Sequence, residues 1–132
     1  MTYLLDTHAF LWAAIQPTHL STKACAIISD RNQEVQVSVV SFWEIAIKHA
    51  LGKLELEGVQ PEAMPEVAED LGLTICALEA PDAASSHLLR KAAHKDPFDR
   101  MLVWQCIRQR MTLLSADHDL RQYESSGLRL LW

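Results

Sequence analysis

The chain has 132 residues, 49% of them apolar and 22% charged, and its formal net charge at pH 7 is −5. These values are typical of one globular domain that buries its own core, and they exclude a broadly basic surface that coats nucleic acid. They do not exclude a nuclease, because the acids of a metal site add negative charge until their cations bind.

Short apolar strands alternate with helices along the whole sequence. In chain order we predict a strand at residues 3–5, helices at 7–15 and 20–28, a strand at 35–40, helices at 41–51 and 61–71, a strand at 73–77, helices at 81–93 and 97–110, a strand at 112–115, a helical turn at 117–124 and an edge strand at 128–131. This alternation predicts an α/β fold, with a mostly parallel sheet of four to five strands and helices on both faces. With no repeat or linker, residues 1–132 are predicted to form a single domain.

Several sequence features bear on the compartment and on the core. No apolar run approaches the roughly 20 residues of a membrane span, and the N-terminus lacks the basic start of a secretory signal. We therefore expect a cytoplasmic protein without a membrane partner. The three cysteines, Cys25, Cys76 and Cys106, lie in apolar contexts and are predicted to be small buried residues, not a disulfide framework or a zinc site. Leu88 and Leu89 are both predicted to face inward.

Four acidic residues lie next to the ends of predicted strands or at the start of a predicted helix. We expect the fold to bring them to one edge of the sheet. Asp6 comes directly after the first strand, Glu44 lies one helical turn after the second, and Asp117 follows the fourth. Asp99 lies at the start of the helix at 97–110, which leads into the fourth strand, so a right-handed crossover brings it to the same edge. Ligands of such sheets bind at this carboxyl edge.

Each acid also has a purely structural interpretation. Asp6, Asp96 and Asp117 each precede a helix and suit an N-cap, and the Ser41–Glu44 pair has the spacing of a capping box. Four caps at one edge with no cation between them are unfavourable, because like charges raise one another's pKa and destabilise the fold. A hard divalent cation removes this cost, and all-carboxylate ligation favours Mg²⁺ or Mn²⁺ over Zn²⁺. The pattern thus suits phosphodiester hydrolysis by metal-activated water.

Other polar residues near these acids have two open interpretations each. Ser41 either hydrogen-bonds a ligating carboxylate or the phosphate, or caps its helix. Arg100 either neutralises phosphate charge or forms an ion pair with Asp96. The six histidines show no paired metal spacing, so His8 and His118 are either rim residues of the site or ordinary surface or core residues.

The motifs resemble those of the PIN-domain ribonucleases and, more closely, the VapC-type toxins of type II toxin–antitoxin systems. The resemblance covers residues 3–132 and is carried by Leu-Leu-Asp-Thr-His from Leu4, Val-Ser-Phe-Trp-Glu-Ile-Ala-Ile-Lys from Val40, His-Lys-Asp-Pro-Phe-Asp-Arg from His94, and Leu-Leu-Ser-Ala-Asp from Leu113. It implies a site of Asp6, Glu44, Asp99 and Asp117 that binds one or two Mg²⁺ or Mn²⁺ ions for RNA cleavage. In that site Asp96 is a helix cap or a more distant acid, and the part of Asp119 stays open.

The resemblance also implies partners: an RNA substrate, a second copy in a homodimer, and a cognate antitoxin that lies across an apolar groove by the site. Two other functions remain as alternatives. A haloacid-dehalogenase-like phosphatase would use Asp6 as nucleophile, but it requires Asp-x-Asp and His8 occupies the second position. A non-catalytic PIN-like partner-binding module should lack at least one of the four acids, and none is missing.

Overall fold

The computed structural model describes residues 1–93 and 95–132, so His94 of the predicted motif lies outside the described residues. The strands are β1 Thr2–Leu5, β2 Glu34–Ser38, β3 Thr74–Cys76, β4 Thr112–Leu114 and β5 Arg129–Leu131. The helices are α1 Thr7–Ile15, α2 Thr22–Ser29, α3 Val39–Ala50, α4 Met64–Asp70, α5 Ala80–Ser85 and α6 Pro97–Gln109. Short 3₁₀ helices cover Pro17–His19, Pro61–Ala63, Ser86–Leu88 and His118–Ser126.

The strands form one parallel sheet in the order β3-β2-β1-β4-β5, which confirms the predicted α/β architecture. The first strand is central: Leu5 is in register with Val37 of β2 on one side and with Leu114 of β4 on the other. Since every pair is parallel, the carboxyl ends of the strands meet at a single edge.

Two hydrophobic cores cover the two faces of this sheet. Side chains alternate along a strand, so Leu5 belongs to one core and its neighbour Leu4 to the other. The first core packs against Phe10 of α1 and Ile45 of α3, and the second against Leu102 of α6. Helices therefore lie on both faces, as predicted.

The boundary between β2 and α3 differs from the prediction, which continued the strand through residue 40 and began the helix with a capping box at Ser41. The strand ends at Ser38, whose hydroxyl accepts a hydrogen bond from the Val40 amide at 3.0 Å and caps the helix. Ser41 therefore lies inside α3, and the predicted capping box with Glu44 is wrong. The β-branched Val39 and Val40 have strand-like propensity, but the local cap determines where the helix begins.

Three smaller predictions are also corrected. The helix predicted at 81–93 is only α5 followed by a 3₁₀ turn, and Leu88 is 66% exposed while Leu89 is buried. Cys25 is exposed, whereas Cys76 and Cys106 are buried as predicted.

In the part of the chain that the structure describes, no helix is long and apolar enough to cross a bilayer.

Candidate active site at the carboxyl edge of the sheet

Asp6 lies at the end of the central strand and is linked to Asp117 through one serine. Its carboxylate accepts a hydrogen bond from the Ala9 amide at 2.8 Å, which confirms the predicted cap of α1. Its other oxygen accepts a hydrogen bond from the Ser115 hydroxyl. The Ser115 oxygen in turn accepts from the Asp117 amide at 3.1 Å. The ends of β1 and β4 therefore position these two acids beside each other.

Asp6 is only 5% exposed, and it forms no salt bridge with the described residues. Burial raises the pKa of this carboxyl group, because the charged form loses its hydration. The hydrogen bonds from Ser115 and Ala9 and the charge of His8 oppose the rise, while the negative charge of Glu44 adds to it. Asp6 is thus a buried acid whose direct contacts are with neutral donors.

Glu44 is 2% exposed and lies on the inner face of α3. Its carboxylate accepts a hydrogen bond from the Thr7 hydroxyl at 2.6 Å, and the Thr7 hydroxyl is also hydrogen-bonded to that of Ser41 at 3.0 Å. The second oxygen of Glu44 forms an ion pair with Lys48, one turn further along α3. Ser41 therefore contacts the Thr7 hydroxyl that binds Glu44, and it does not cap the helix. Its predicted hydrogen bond to a carboxylate is found only indirectly, through Thr7.

Lys48 connects Glu44 to the acids at the start of α6. Burial lowers the pKa of Lys48, but the hydrogen bond to Glu44 and the negative charges of Glu44, Asp96 and Asp99 outweigh it, so the pKa is raised. The same two helices also meet through Trp43 and Phe98, whose rings pack edge to face with centroids 5.3 Å apart. One lysine thus lies within the electrostatic reach of three acids.

The start of α6 has the predicted cap. Asp96 accepts hydrogen bonds from the amides of Phe98 at 2.9 Å and Asp99 at 3.2 Å, with Pro97 in the first turn. Asp96 is therefore a helix cap that also adds negative charge near Lys48.

Arg100 has a role that neither of its two predicted interpretations included. Its guanidinium donates to the carbonyl oxygens of Leu89 at 3.0 Å and Arg90 at 3.1 Å, and to the Tyr123 hydroxyl at 3.0 Å. These contacts hold the segment before α6 against the last 3₁₀ helix. Arg100 also lines an open cleft with Lys91 and Lys95, so its predicted phosphate contact stays a prediction.

Asp117 is the N-cap of the 3₁₀ helix His118–Ser126, where it accepts a hydrogen bond from the Asp119 amide at 3.0 Å. The predicted cap is therefore confirmed. His118 and Asp119 are both exposed just beyond it. The structure assigns no contact with the other acids to the Asp119 carboxylate.

A cleft of about 300 Å³ opens beside these acids and is lined by Asp6, His8, Trp12, Ala116 and Asp117. His8 is exposed and lines this cleft, which agrees with its interpretation as a rim residue. The sequence reasoning missed the supporting hydroxyls of Thr7 and Ser115. Each lies next to a predicted acid or strand end, which is the signal that would have indicated them.

The donor chemistry of the site fits a hard divalent cation, because its candidate ligand atoms are carboxylate oxygens. One of these carboxylates, that of Asp6, is buried and has no salt bridge to a residue that the structure describes. The side chains are not arranged for an ion as they stand. Within residues 1–93 and 95–132, no group of three or more His, Cys, Asp or Glu side chains is placed to hold one. Binding would require Asp6 and Glu44 to exchange part of their contacts with Ser115 and Lys48 for a metal ion.

Comparison with known proteins identifies the fold. A family model of the PIN domain matches residues 3–125. A chain in the crystal structure of VapBC2 from Rickettsia felis bound to a promoter DNA fragment has a TM-score of 0.71 at 16% identity, with 100% of this chain and 99% of that chain covered. A chain of DNA-bound VapBC from Salmonella typhimurium has a TM-score of 0.64 at 17% identity, covering 99% of this chain and 97% of that one.

A chain of FitAcB from Neisseria gonorrhoeae has a TM-score of 0.63 at 19% identity, with 98% of this chain and 96% of that chain covered. No curated protein matches the sequence. At these identities the structural likenesses show a shared fold, whereas the family model covers nearly the whole sequence. The chain therefore belongs to the PIN domain family.

Proposed function

We propose that this protein is a metal-dependent endoribonuclease that acts as the toxin of a type II toxin–antitoxin pair. The observation that carries the proposal is the buried Asp6 carboxylate, which has neutral hydrogen-bond donors, no salt bridge among the described residues, and Asp117 beside it through Ser115. An uncompensated buried carboxylate costs folding free energy, and proteins retain such groups where a ligand supplies the missing charge.

The residues that would hold the cation are Asp6, Glu44, Asp99 and Asp117. Bound Mg²⁺ or Mn²⁺ at carboxylates supplies a water of lowered pKa and neutralises charge on a scissile phosphate. The protein's own contribution is to hold these acids in place. Thr7 and Ser115 orient two of the carboxylates by hydrogen bonds, and the charge of Lys48 offsets the repulsion among the acids on the side of α6.

The partners are part of the proposal, and the structural neighbours support one of them. The structurally similar chains come from VapBC and FitAB assemblies, some of them bound to DNA, and on that basis we propose a cognate antitoxin for this chain. We also propose RNA as the substrate, a homodimeric state and a cytoplasmic location. A non-catalytic partner-binding module is the alternative that the following experiment excludes or supports.

The test is cleavage of single-stranded RNA by the purified chain in Mn²⁺ and in EDTA. The wild type should cleave only with the metal, and Asp99→Ala should lose activity by at least about a hundredfold because a metal-held charge is removed. Glu44→Gln should lose roughly ten- to a hundredfold, since the amide keeps the shape but not the charge.

The matched control is Asp70→Ala, an exposed acid at the end of α4, near the opposite edge of the sheet. It should cleave like the wild type, and thermal unfolding should show that all variants are folded. Equal cleavage by wild type and Asp99→Ala, or metal-independent cleavage, would contradict the nuclease assignment. Absence of cleavage together with absence of Mn²⁺ binding would favour the binding module.

A further inference from the structure

The cleft beside Asp6 and Asp117 has an aromatic side that metal-assisted hydrolysis does not require. Besides the two acids, the cleft is lined by His8, Trp12 and Ala116, and its volume is about 300 Å³. Charge neutralisation and water activation need only the carboxylates. The remaining lining consists of two aromatic rings and an alanine, which suit a planar group better than a second phosphate.

Trp12 is held in position by other rings. Its indole packs against His8 at 5.9 Å, His19 at 5.6 Å and Trp132 at 5.6 Å between centroids. His8 and Trp12 are four residues apart on α1 and so lie on the same face of the helix. Neither of the two hydrophobic cores of the described residues includes Trp12. A half-buried tryptophan fixed before a ligand arrives loses little conformational entropy on binding.

We propose that this cleft binds one unpaired nucleobase of single-stranded RNA, stacked on Trp12 beside the carboxylates. The inference rests on the proposed function, and it extends it by naming a base-binding subsite. A nucleotide joins a planar aromatic ring to a phosphate, so a base against Trp12 and His8 brings its backbone to the acids that line the same cleft. A base within a duplex has both faces covered and cannot enter, which selects single strands.

Two neighbouring surfaces are less suitable for the same base. A second cleft shares His8 and Trp12 but is also lined by Glu55 and Glu57, whose negative charges repel a phosphate backbone. Trp43 is 63% exposed and contacts Phe98 at the start of α6, and it does not line the cleft that holds Asp6 and Asp117. Trp43 is the rival stacking surface and therefore the best comparison variant.

The test is a double-mutant cycle that measures binding instead of cleavage. A labelled short single-stranded RNA is titrated with the full chain in Ca²⁺, with the RNA checked to be intact, alongside versions that carry an abasic ribose at each position in turn. One abasic position should weaken binding by about tenfold, and Trp12→Leu should weaken binding of the complete RNA by a similar factor. The affinity of Trp12→Leu for that abasic RNA should be little lower than the affinity with either change alone, because both changes remove the same stacking contact.

Three controls separate this subsite from a structural effect. Trp12→Phe, which keeps an aromatic face, should retain most of the affinity and the dependence on that base. Trp43→Leu should leave the coupling unchanged, and thermal unfolding should show that each variant is folded. Additive losses, coupling to Trp43 in place of Trp12, or equal weakening of every abasic RNA by Trp12→Leu would overturn the inference, because each means that no particular base stacks on Trp12.

The outcome is also separable from that of the proposed function. If the wild type cleaves RNA with Mn²⁺ but shows no coupling, the nuclease assignment stands and the base subsite is wrong. If coupling is present without cleavage, the subsite stands and the nuclease assignment is wrong. If the chain does not bind RNA at all, the subsite is overturned directly.

Discussion

Two buried aspartates in this molecule have nearly equal exposure but opposite surroundings. Asp82 on α5 is 6% exposed, and its carboxylate accepts hydrogen bonds from Arg108 Nε at 3.0 Å and Gln109 Nε2 at 3.2 Å. Asp6 is 5% exposed, and its hydrogen bonds come from the Ser115 hydroxyl and a backbone amide. One charge is matched by a fixed cation of the protein and the other is not.

The difference shows that the partners of a buried acid, and not its degree of burial, distinguish a structural acid from a candidate functional one. Removing a carboxylate from water is costly, and the Arg108 guanidinium offsets this cost for Asp82 permanently. Asp6 has only neutral donors as direct partners, and its pKa is raised by burial. An acid in that position reduces stability unless a cation can be exchanged into it. We therefore interpret Asp82 as a contact that joins α5 to α6 and Asp6 as part of the proposed site.

The largest expected effect compares the same substitution at both positions. Asp6→Asn should reduce Mn²⁺-dependent RNA cleavage on the order of a thousandfold, because it removes a charge that the proposed metal needs. Asp82→Asn should change the rate less than about threefold, since Asp82 lies at the α5–α6 contact. Rates measured at a temperature where both variants are folded test this. Similar losses of cleavage rate in the two variants would contradict the assignment of Asp6 to the site and of Asp82 to the α5–α6 contact.

The next effect is a loss of stability, which is expected at Asp82 and not at Asp6. Asp82→Ala leaves Arg108 and Gln109 without their acceptor, and we expect a loss of about 2 kcal/mol in the free energy of unfolding. The expected loss is modest because Arg108 is about half exposed, so water can hydrate its guanidinium once the carboxylate is removed. Thermal unfolding should show a Tm lowered by roughly 6–10 °C. An unchanged Tm would mean that the pair does not stabilise the fold.

The smallest expected effect has the opposite sign and is found at Asp6. The raised pKa means that the folded chain holds a proton on Asp6 more tightly than the unfolded chain, where the pKa is near 3.8. The stability from this group is therefore present below that value and is lost as pH rises through the folded pKa. In EDTA at neutral pH, Asp6→Asn should raise Tm, and the gain should shrink as the pH falls towards 3.8. A lower Tm at neutral pH would contradict this interpretation.

The sequence was sufficient for the features that depend on local pattern. Apolar strands between helices predicted the parallel sheet, and of the four predicted acids Asp6 and Asp117 line one cleft. The gathering of all four acids into one site stays a prediction. The caps formed by Asp6, Asp96 and Asp117 follow from local helix chemistry and were also predicted. The i,i+4 spacing of Glu44 and Lys48 would also have indicated their ion pair.

Features that depend on distant packing were missed. Nothing in the spacing of Arg100 shows that its guanidinium binds carbonyls ten residues earlier and a tyrosine hydroxyl far along the chain. Leu88 and Leu89 are the same residue type with the same propensities, so the sequence cannot show which of them is buried. The predicted helix ends early, at Ser85, and a 3₁₀ turn follows it, in which Leu88 is exposed. Ser38 and Ser41 both suit a cap, so the strand-like Val39 and Val40 between them favoured the wrong one.

The position of β1 between β2 and β4 has a consequence for protein synthesis. The Asp6 amide donates to the Leu114 carbonyl at 3.1 Å, so an acid made among the first residues is held by a strand made among the last. Its serine partner comes from the same late segment. A growing chain on the ribosome therefore lacks the finished pocket until most of it has emerged. If the protein cuts RNA as we propose, this order of assembly would keep unfinished chains from damaging the translation machinery that makes them.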